Sequence, residues 1–369
     1  MELEEDATVI FSIGSDFPYD DVKSIATRLA ASNCLVPGFI APVAGLASIE
    51  AFLYSELVDQ ASTTVIVDRN VASRMAQIAR DGAVRPLNGP TQIAVDLMAL
   101  AQSVNLNIDP SIAFHELAHL NSNADASEEL RWFRAADHGQ ARAWIDVALG
   151  REDALPLSAP TGLEEYDLSK PLFRWRRNYT VMLKAAELEL SDLSPKERML
   201  ALLEWMISDF MLAGPAAIYC AMYFAPFATK AGMFKQLRSP NRDRALNGIK
   251  NAAWDVTYLS ELVRHATSSN HDSDRFILAT ADKAIAQVAP LLFLDAENLL
   301  DLEAKLSAQF EKWWQADSAS LAMGFARAMS LATERSPPQH GSYLKDYVGD
   351  LIAIGEASIL ANQSRNWRQ

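Results

Sequence analysis

The chain has 369 residues, half of them apolar, which is enough to bury one large core or two smaller ones. Charged residues make up 22%, and glycine and proline are modest, so disorder and fibrous repeats are excluded. The net charge of −14 favours solubility and repels polyanions at long range, so any nucleic-acid chemistry needs a local basic surface.

Two cysteines, Cys34 and Cys220, stand far apart and outside any CxxC spacing. This argues against a disulfide framework or a thiolate zinc site and fits a reducing, cytoplasmic compartment. The acidic start, Met1 to Asp6, lacks the basic character of a signal or transit peptide.

In chain order, Thr8 to Ile13 reads as a buried strand closed by Gly14, and a helix follows from Asp20 to Ala31. After a helix near Ser48 to Val58, the β-branched run Thr63 to Asp68 reads as a second strand ending on a carboxylate. Helices are expected over Val71 to Arg80, Thr91 to Ser103 and Pro110 to Leu120. From Ala124 to Asn247 the pattern is helical, interrupted at Gly150 to Lys170 by Pro156 and Pro160. Within it, Phe210 to Thr229 is uncharged, but Gly214 and Pro215 break it, so a buried helix is expected rather than a membrane span. A long helix, Leu246 to Arg264, precedes a third strand, Arg275 to Thr280, and Leu291 to Leu294 reads as a fourth. The remainder, Asp295 to Arg365, is helical with a break at Ser336-Pro337-Pro338.

Strands alternating with helices predict an α/β protein, a small parallel sheet covered by helices. Functional residues then lie just past the carboxyl ends of the strands, where Asp68 and Asp282 stand. Two more acids fall on helices: Glu116 in the 110–120 helix and Asp255 in the 246–264 helix. Clustered carboxylates supply the oxygen ligands that Mg²⁺ or Mn²⁺ requires, while the cation offsets their repulsion.

The order Asp68, Glu116, Asp255, then Thr280-Ala281-Asp282 resembles the PIN domain family of nucleases. The resemblance covers Thr63 to Leu120 and Leu246 to Leu294, under a third of the chain. It implies a Rossmann-like parallel sheet, Mg²⁺ or Mn²⁺ held by Asp68, Glu116, Asp255 and Asp282, and hydrolysis of RNA, less often DNA. Asn251, one turn before Asp255, and Thr280 are candidate assisting residues. The chain departs from the family in length, with roughly 125 residues between Glu116 and the next acidic helix. The division expected is 1–120 and 246–294 for the two parts of the PIN-like domain, 121–245 for a helical insert and 295–369 for a helical C-terminal region.

A competing motif overlaps this set. His115-Glu116-Leu117-Ala118-His119 matches H-E-x-x-H, in which two histidines ligate Zn²⁺ and the glutamate activates water. On a helical projection, however, Glu116 falls with Ile112, Ala113 and Leu120, and the histidines fall on the polar arc with Ser111 and Ser122. The third zinc ligand has no clear motif; Asp125, Glu128, Glu129 and His138 are the candidates.

Two basic stretches supply nucleic-acid contacts in this reading: Arg174 to Tyr179, and Lys230 to Lys250, from which Arg242, Arg244 and Lys250 lead into the Asp255 helix. The function expected is a metal-dependent, endoribonuclease-like phosphodiesterase. A zinc metallopeptidase and a catalytically silent interaction protein are the alternatives. RNA is the expected partner, no membrane is, and self-association through the helical regions stays open.

Overall fold

The computed structural model describes residues 12–39, 45–157, 159–160, 166–230, 232–268, 274–334 and 346–362. Helix starts follow from local chemistry. Ser48, Asp68, Asn88, Ser122, Ser194 and Asn298 each accept a backbone N–H of the first turn that follows.

The first part of the chain holds α1 (Tyr19–Ala31), β1 (Leu35–Pro37), α2 (Ile49–Leu57), β2 (Ser62–Val67), α3 (Arg69–Asp81), α4 (Gly89–Ser103) and β3 (Asn107–Asp109). Next come α5 (Ser111–Leu120), α6 (Asn123–Asp137), α7 (Ala141–Ala148), α8 (Phe173–Glu189), α9 (Pro195–Ser208) and α10 (Gly214–Phe224). The last part holds α11 (Arg242–Ser268), β4 (Asp274–Ala279), α12 (Lys283–Val288), α13 (Leu299–Trp314), α14 (Ser318–Glu334) and α15 (Tyr347–Ala361).

The protein is mostly helical, around a four-stranded sheet ordered β1-β4-β2-β3. The α/β class holds, but the sheet is mixed rather than fully parallel. β2 runs parallel to β3 and β4, whereas β1 lies antiparallel on the edge beside β4. The tight turn after α1, with Asn33 at positive φ, returns the chain as a three-residue strand ending in Pro37, a residue an edge strand tolerates. Of the expected strand Thr8 to Ile13, residues 8–11 lie outside the described residues, and Ser12 and Ile13 are not in a strand. Leu291 to Leu294 is no strand either: Pro290 starts a 3₁₀ turn over Ala289–Phe293. The break expected at 336–338 lies outside the described residues.

The sheet separates two cores. Val65 and Val67 of β2 with Ile277 and Ala279 of β4 face a core built by α1 to α7. Val36, Ile66 and Leu278, on the alternate face, join the core of α8 to α15. Residues 121–245 therefore divide between the two, with α6 and α7 sharing the first core and α8 to α10 the second. The uncharged stretch forms α10, started by Gly214-Pro215 and buried throughout its second half. Among the described residues no helix is long and apolar enough to cross a membrane. Both cysteines are buried and free, and burial pushes the Cys34 thiol up to about 11.

Candidate functional site

Parallel pairing in register, Val67 opposite Ala279, brings Asp68 and Thr280 to the same end of adjacent strands. Asp68 caps α3, and its carboxylate also ties the two strand ends together. Oδ1 accepts the Val71 N–H at 2.8 Å, and Oδ2 accepts the Thr280 hydroxyl at 2.6 Å and the Ala281 N–H at 3.0 Å. The Thr280 oxygen in turn accepts the Asp282 N–H at 2.9 Å. Asp282 then caps α12, its Oδ1 accepting the Ala284 N–H at 2.7 Å. The two strand-end acids are thus linked through one threonine.

Glu116 reaches this end from α5 and is buried, with 7% exposure. Its Oε1 accepts from Arg69 Nε at 2.9 Å and its Oε2 from the Tyr258 hydroxyl at 2.8 Å. Tyr258 also accepts the Arg69 N–H, so α3, α5 and α11 meet at this phenol. Asp255 lies on α11 three residues before Tyr258 and is half-buried; its Oδ2 accepts the Tyr219 hydroxyl of α10 at 3.1 Å.

Three of these carboxylates, Asp68, Glu116 and Asp255, are raised by their surroundings. Burial raises Asp68 to about 6 against the hydrogen bonds from Thr280, Val71 and Ala281, and the Glu116 charge adds to the rise. Glu116 is raised by burial, against the opposing pull of Arg69, Tyr258 and Lys235. Asp255 is raised well above its ordinary value, first by burial and then by the charges of Asp282 and Glu116. The Tyr219 bond and the Lys235 charge oppose that.

The acids form two pairs of different character. Asp68 and Glu116 have hydrogen bonds on all four oxygens. Asp255 Oδ1 and Asp282 Oδ2 accept none among the described residues. Among those residues no three His, Cys, Asp or Glu side chains group as ligands of one metal ion. The donor chemistry of the Asp255–Asp282 pair nevertheless suits a hard cation in the way Mg²⁺ is commonly held, by one or two carboxylates, with water and substrate oxygens completing the shell.

Other candidates fall elsewhere. Asn251 is half-buried and makes no side-chain hydrogen bond among the described residues, whereas Thr280 is the bridge between Asp68 and Asp282. Arg242 donates to the carbonyls of Ile359, Leu237 and Ser239. Lys250 faces Glu356 on α15, 3.8 Å away, and Arg244 is exposed. In the other basic stretch, Arg174 pairs with Glu261, Arg176 with Asp346, and Trp175 stacks on Tyr179. These cations mostly hold the fold together.

The H-E-x-x-H helix presents its residues to different surroundings. Glu116 faces Arg69 and Tyr258, whereas His115 Nδ1 bonds the Leu168 carbonyl and His119 packs against Trp175 and Trp254. Of the third-ligand candidates, Asp125 bonds Ser122 and His138 bonds the Arg134 carbonyl.

Sequence reasoning missed Arg69, Tyr219 and Tyr258; Lys235 was read only as part of the basic run 230–250, and its charge acts on Glu116 and Asp255. Two of them sit beside acids that were read: Arg69 directly follows Asp68, and Tyr258 stands almost one turn after Asp255. Tyr219 gave no signal inside its uncharged segment. Comparison with protein-family models, with curated proteins and with solved structures found no match.

Proposed function

We propose that the chain is a divalent-cation-dependent phosphodiesterase acting on RNA, with Asp255 and Asp282 holding Mg²⁺ or Mn²⁺. One observation carries this reading. The Asp282 charge at the end of the sheet acts on Asp255 from a separate element, and each carboxylate has an oxygen that accepts no hydrogen bond among the described residues. Such a pair is costly to keep without a cation. The order of acids along the chain, similar to that of PIN domains, supports the same chemistry.

A cation held by Asp255 and Asp282 would lower the pKa of water and offset charge on phosphoryl oxygens. The protein's own residues do the rest. Tyr219 holds the Asp255 carboxylate in place by its hydroxyl. Thr280 sets Asp282 relative to the strand end through the amide it accepts. Glu116, fixed by Arg69 and Tyr258, adds negative potential behind Asp255, and Asp68 locks β2 to β4.

The test pairs thermal stability with turnover. Wild type should be stabilised by Mn²⁺, by about 2.7 kcal/mol at a hundredfold excess over Kd, and should cleave single-stranded RNA. Asp255→Asn and Asp282→Asn should each remove the Mn²⁺-dependent stabilisation and lower kcat by about 10²-fold or more. An equal Mn²⁺ response in all three proteins would sink the proposal.

A further inference from the structure

The segment from Gly232 to Ser239 joins α10 to α11, and its Gly232 end lies beside Asp282. A Cβ added at Gly232 would come to 3.7 Å from Asp282 Oδ2, and the Lys235 charge acts on both Glu116 and Asp255. The loop is seated on α11 at Gly248, where a Cβ would fall 1.7 Å from the Lys235 carbonyl oxygen, so only glycine permits the approach. Beyond Lys235 the same loop forms one wall of a cleft of about 440 Å³, lined by Tyr223, Phe234, Gln236, Leu237, Arg238 and Ser239.

Arg238 is the charged residue of the cleft's lining, and two further cations, Arg198 and Lys230, stand near it. Arg238 and Arg198 both bond the Glu189 carboxylate, at 2.8 and 2.6 Å, which fixes two guanidinium groups beside it. Lys230 stands over the Tyr223 ring, 5.5 Å from its centre. Tyr223 lies four residues after Tyr219 on α10, on the same face and about 6 Å farther along the axis. One helix face therefore presents Tyr219 to the carboxylates and Tyr223 to the cleft.

Resting on the reading above, we propose that this cleft is a substrate subsite that takes one nucleotide next to the cleaved bond. Arg238 and Lys230 face its phosphate and Lys235 faces the scissile one. Tyr223 and Phe234, packed on each other with ring centres 4.4 Å apart and 7% and 4% exposed, form the apolar floor. The cations beside it suit a phosphate, and about 440 Å³ matches a single nucleotide better than a base pair. The substrate is then single-stranded.

The probe is a fluorescein-labelled ten-nucleotide single-stranded RNA, with Ca²⁺ in place of Mn²⁺, titrated by anisotropy across a salt series. Gln236→Glu, which is isosteric, and Ser239→Asp, which keeps an acceptor for the Asn241 N–H, place negative charge in the cleft without emptying it. Each should weaken binding by about tenfold, and each lost phosphate contact should flatten the slope by about 0.7 log units per log salt. Weakened binding with no cleavage by wild type in Mn²⁺ would uphold the subsite and overturn the phosphodiesterase reading. Unchanged affinity and slope in both variants with cleavage intact would overturn the subsite alone. Equal affinity for a duplex of the same length, or no binding by wild type, would also overturn it.

Discussion

The two carboxylate pairs stand at the same end of the sheet, yet they are treated differently by the fold. Asp68 and Glu116 are buried and every oxygen has a donor: two backbone amides, a threonine, an arginine and a tyrosine. Asp255 has one tyrosine, and Asp282 spends one oxygen on a helix cap. A buried carboxylate with its hydrogen bonds met organises the backbone around it; one left short of partners and facing a like charge is strained electrostatically. The first kind reads as framework; the second is where the proposed function places its cation.

Substitution separates the two kinds by sign. Asp68→Ala orphans the Val71 and Ala281 amides and the Thr280 hydroxyl, and removes the cap of α3. It should cost about 2–4 kcal/mol. Asp255→Asn removes a repelled charge and, with its side-chain oxygen, keeps an acceptor for Tyr219; in the presence of a chelator it should stabilise by about 0.5–1.5 kcal/mol. Chemical denaturation of the metal-free proteins measures both. If both variants destabilise to the same degree, the pairs do not differ as described.

The pH response sharpens the same contrast. Asp68 titrates near 6 in the folded protein, above its unfolded value, so the folded state keeps a proton the unfolded chain has already lost. Its contribution is therefore fully present below about pH 4 and is lost as pH rises to about 6, by about 1.4 kcal/mol per pH unit at most. Glu116 and Asp255, also raised, push the same way. Metal-free protein should lose stability between about pH 4 and 6, and Asp68→Ala should flatten that fall. Binding of Mn²⁺, which needs Asp255 ionised, should instead strengthen as pH rises. A Tm series with chelator and with Mn²⁺ checks both slopes.

Much of this end of the sheet was legible in the sequence, because a strand followed by a carboxylate is a local pattern. Val65-Ile66-Val67-Asp68 and Leu278-Ala279-Thr280 announce two strands and their ends. What joins Asp68 to Thr280 is pairing between residues 212 positions apart, which no local pattern contains. β1 and β3 went unread since three residues cannot show alternation, and β1 is what makes the sheet mixed. The basic run before α11 was visible as composition. Which of its cations reaches the acids was not, because helix seating at Gly248 and the carbonyls that claim Arg242 are tertiary facts. Comparing the two pairs required partner counts, and Tyr219 and Tyr258 carry no sequence mark of that role.

The smallest expected effect concerns the histidines beside Glu116, and it tests whether the contrast between the pairs belongs to the acids alone. His115 and His119 each engage a carbonyl through Nδ1, a bond that also accompanies metal ligation through Nε2. That bond by itself therefore does not separate a zinc site from a structural pair. The direction of Glu116 bears on the question: a zincin glutamate must reach water at the metal, whereas this one is engaged by Arg69 and Tyr258. Asparagine at both positions keeps a donor near Nδ1 and deletes Nε2. The double variant His115→Asn/His119→Asn should keep RNA cleavage and the Mn²⁺ response within about twofold. It should lose about 1 kcal/mol of stability, from the contacts of His119 with Trp175 and Trp254. Metal analysis of the freshly purified protein runs beside the activity assay. Stoichiometric zinc that disappears in the double variant, together with a hundredfold loss of turnover, would move the chemistry from the carboxylate pairs to this helix.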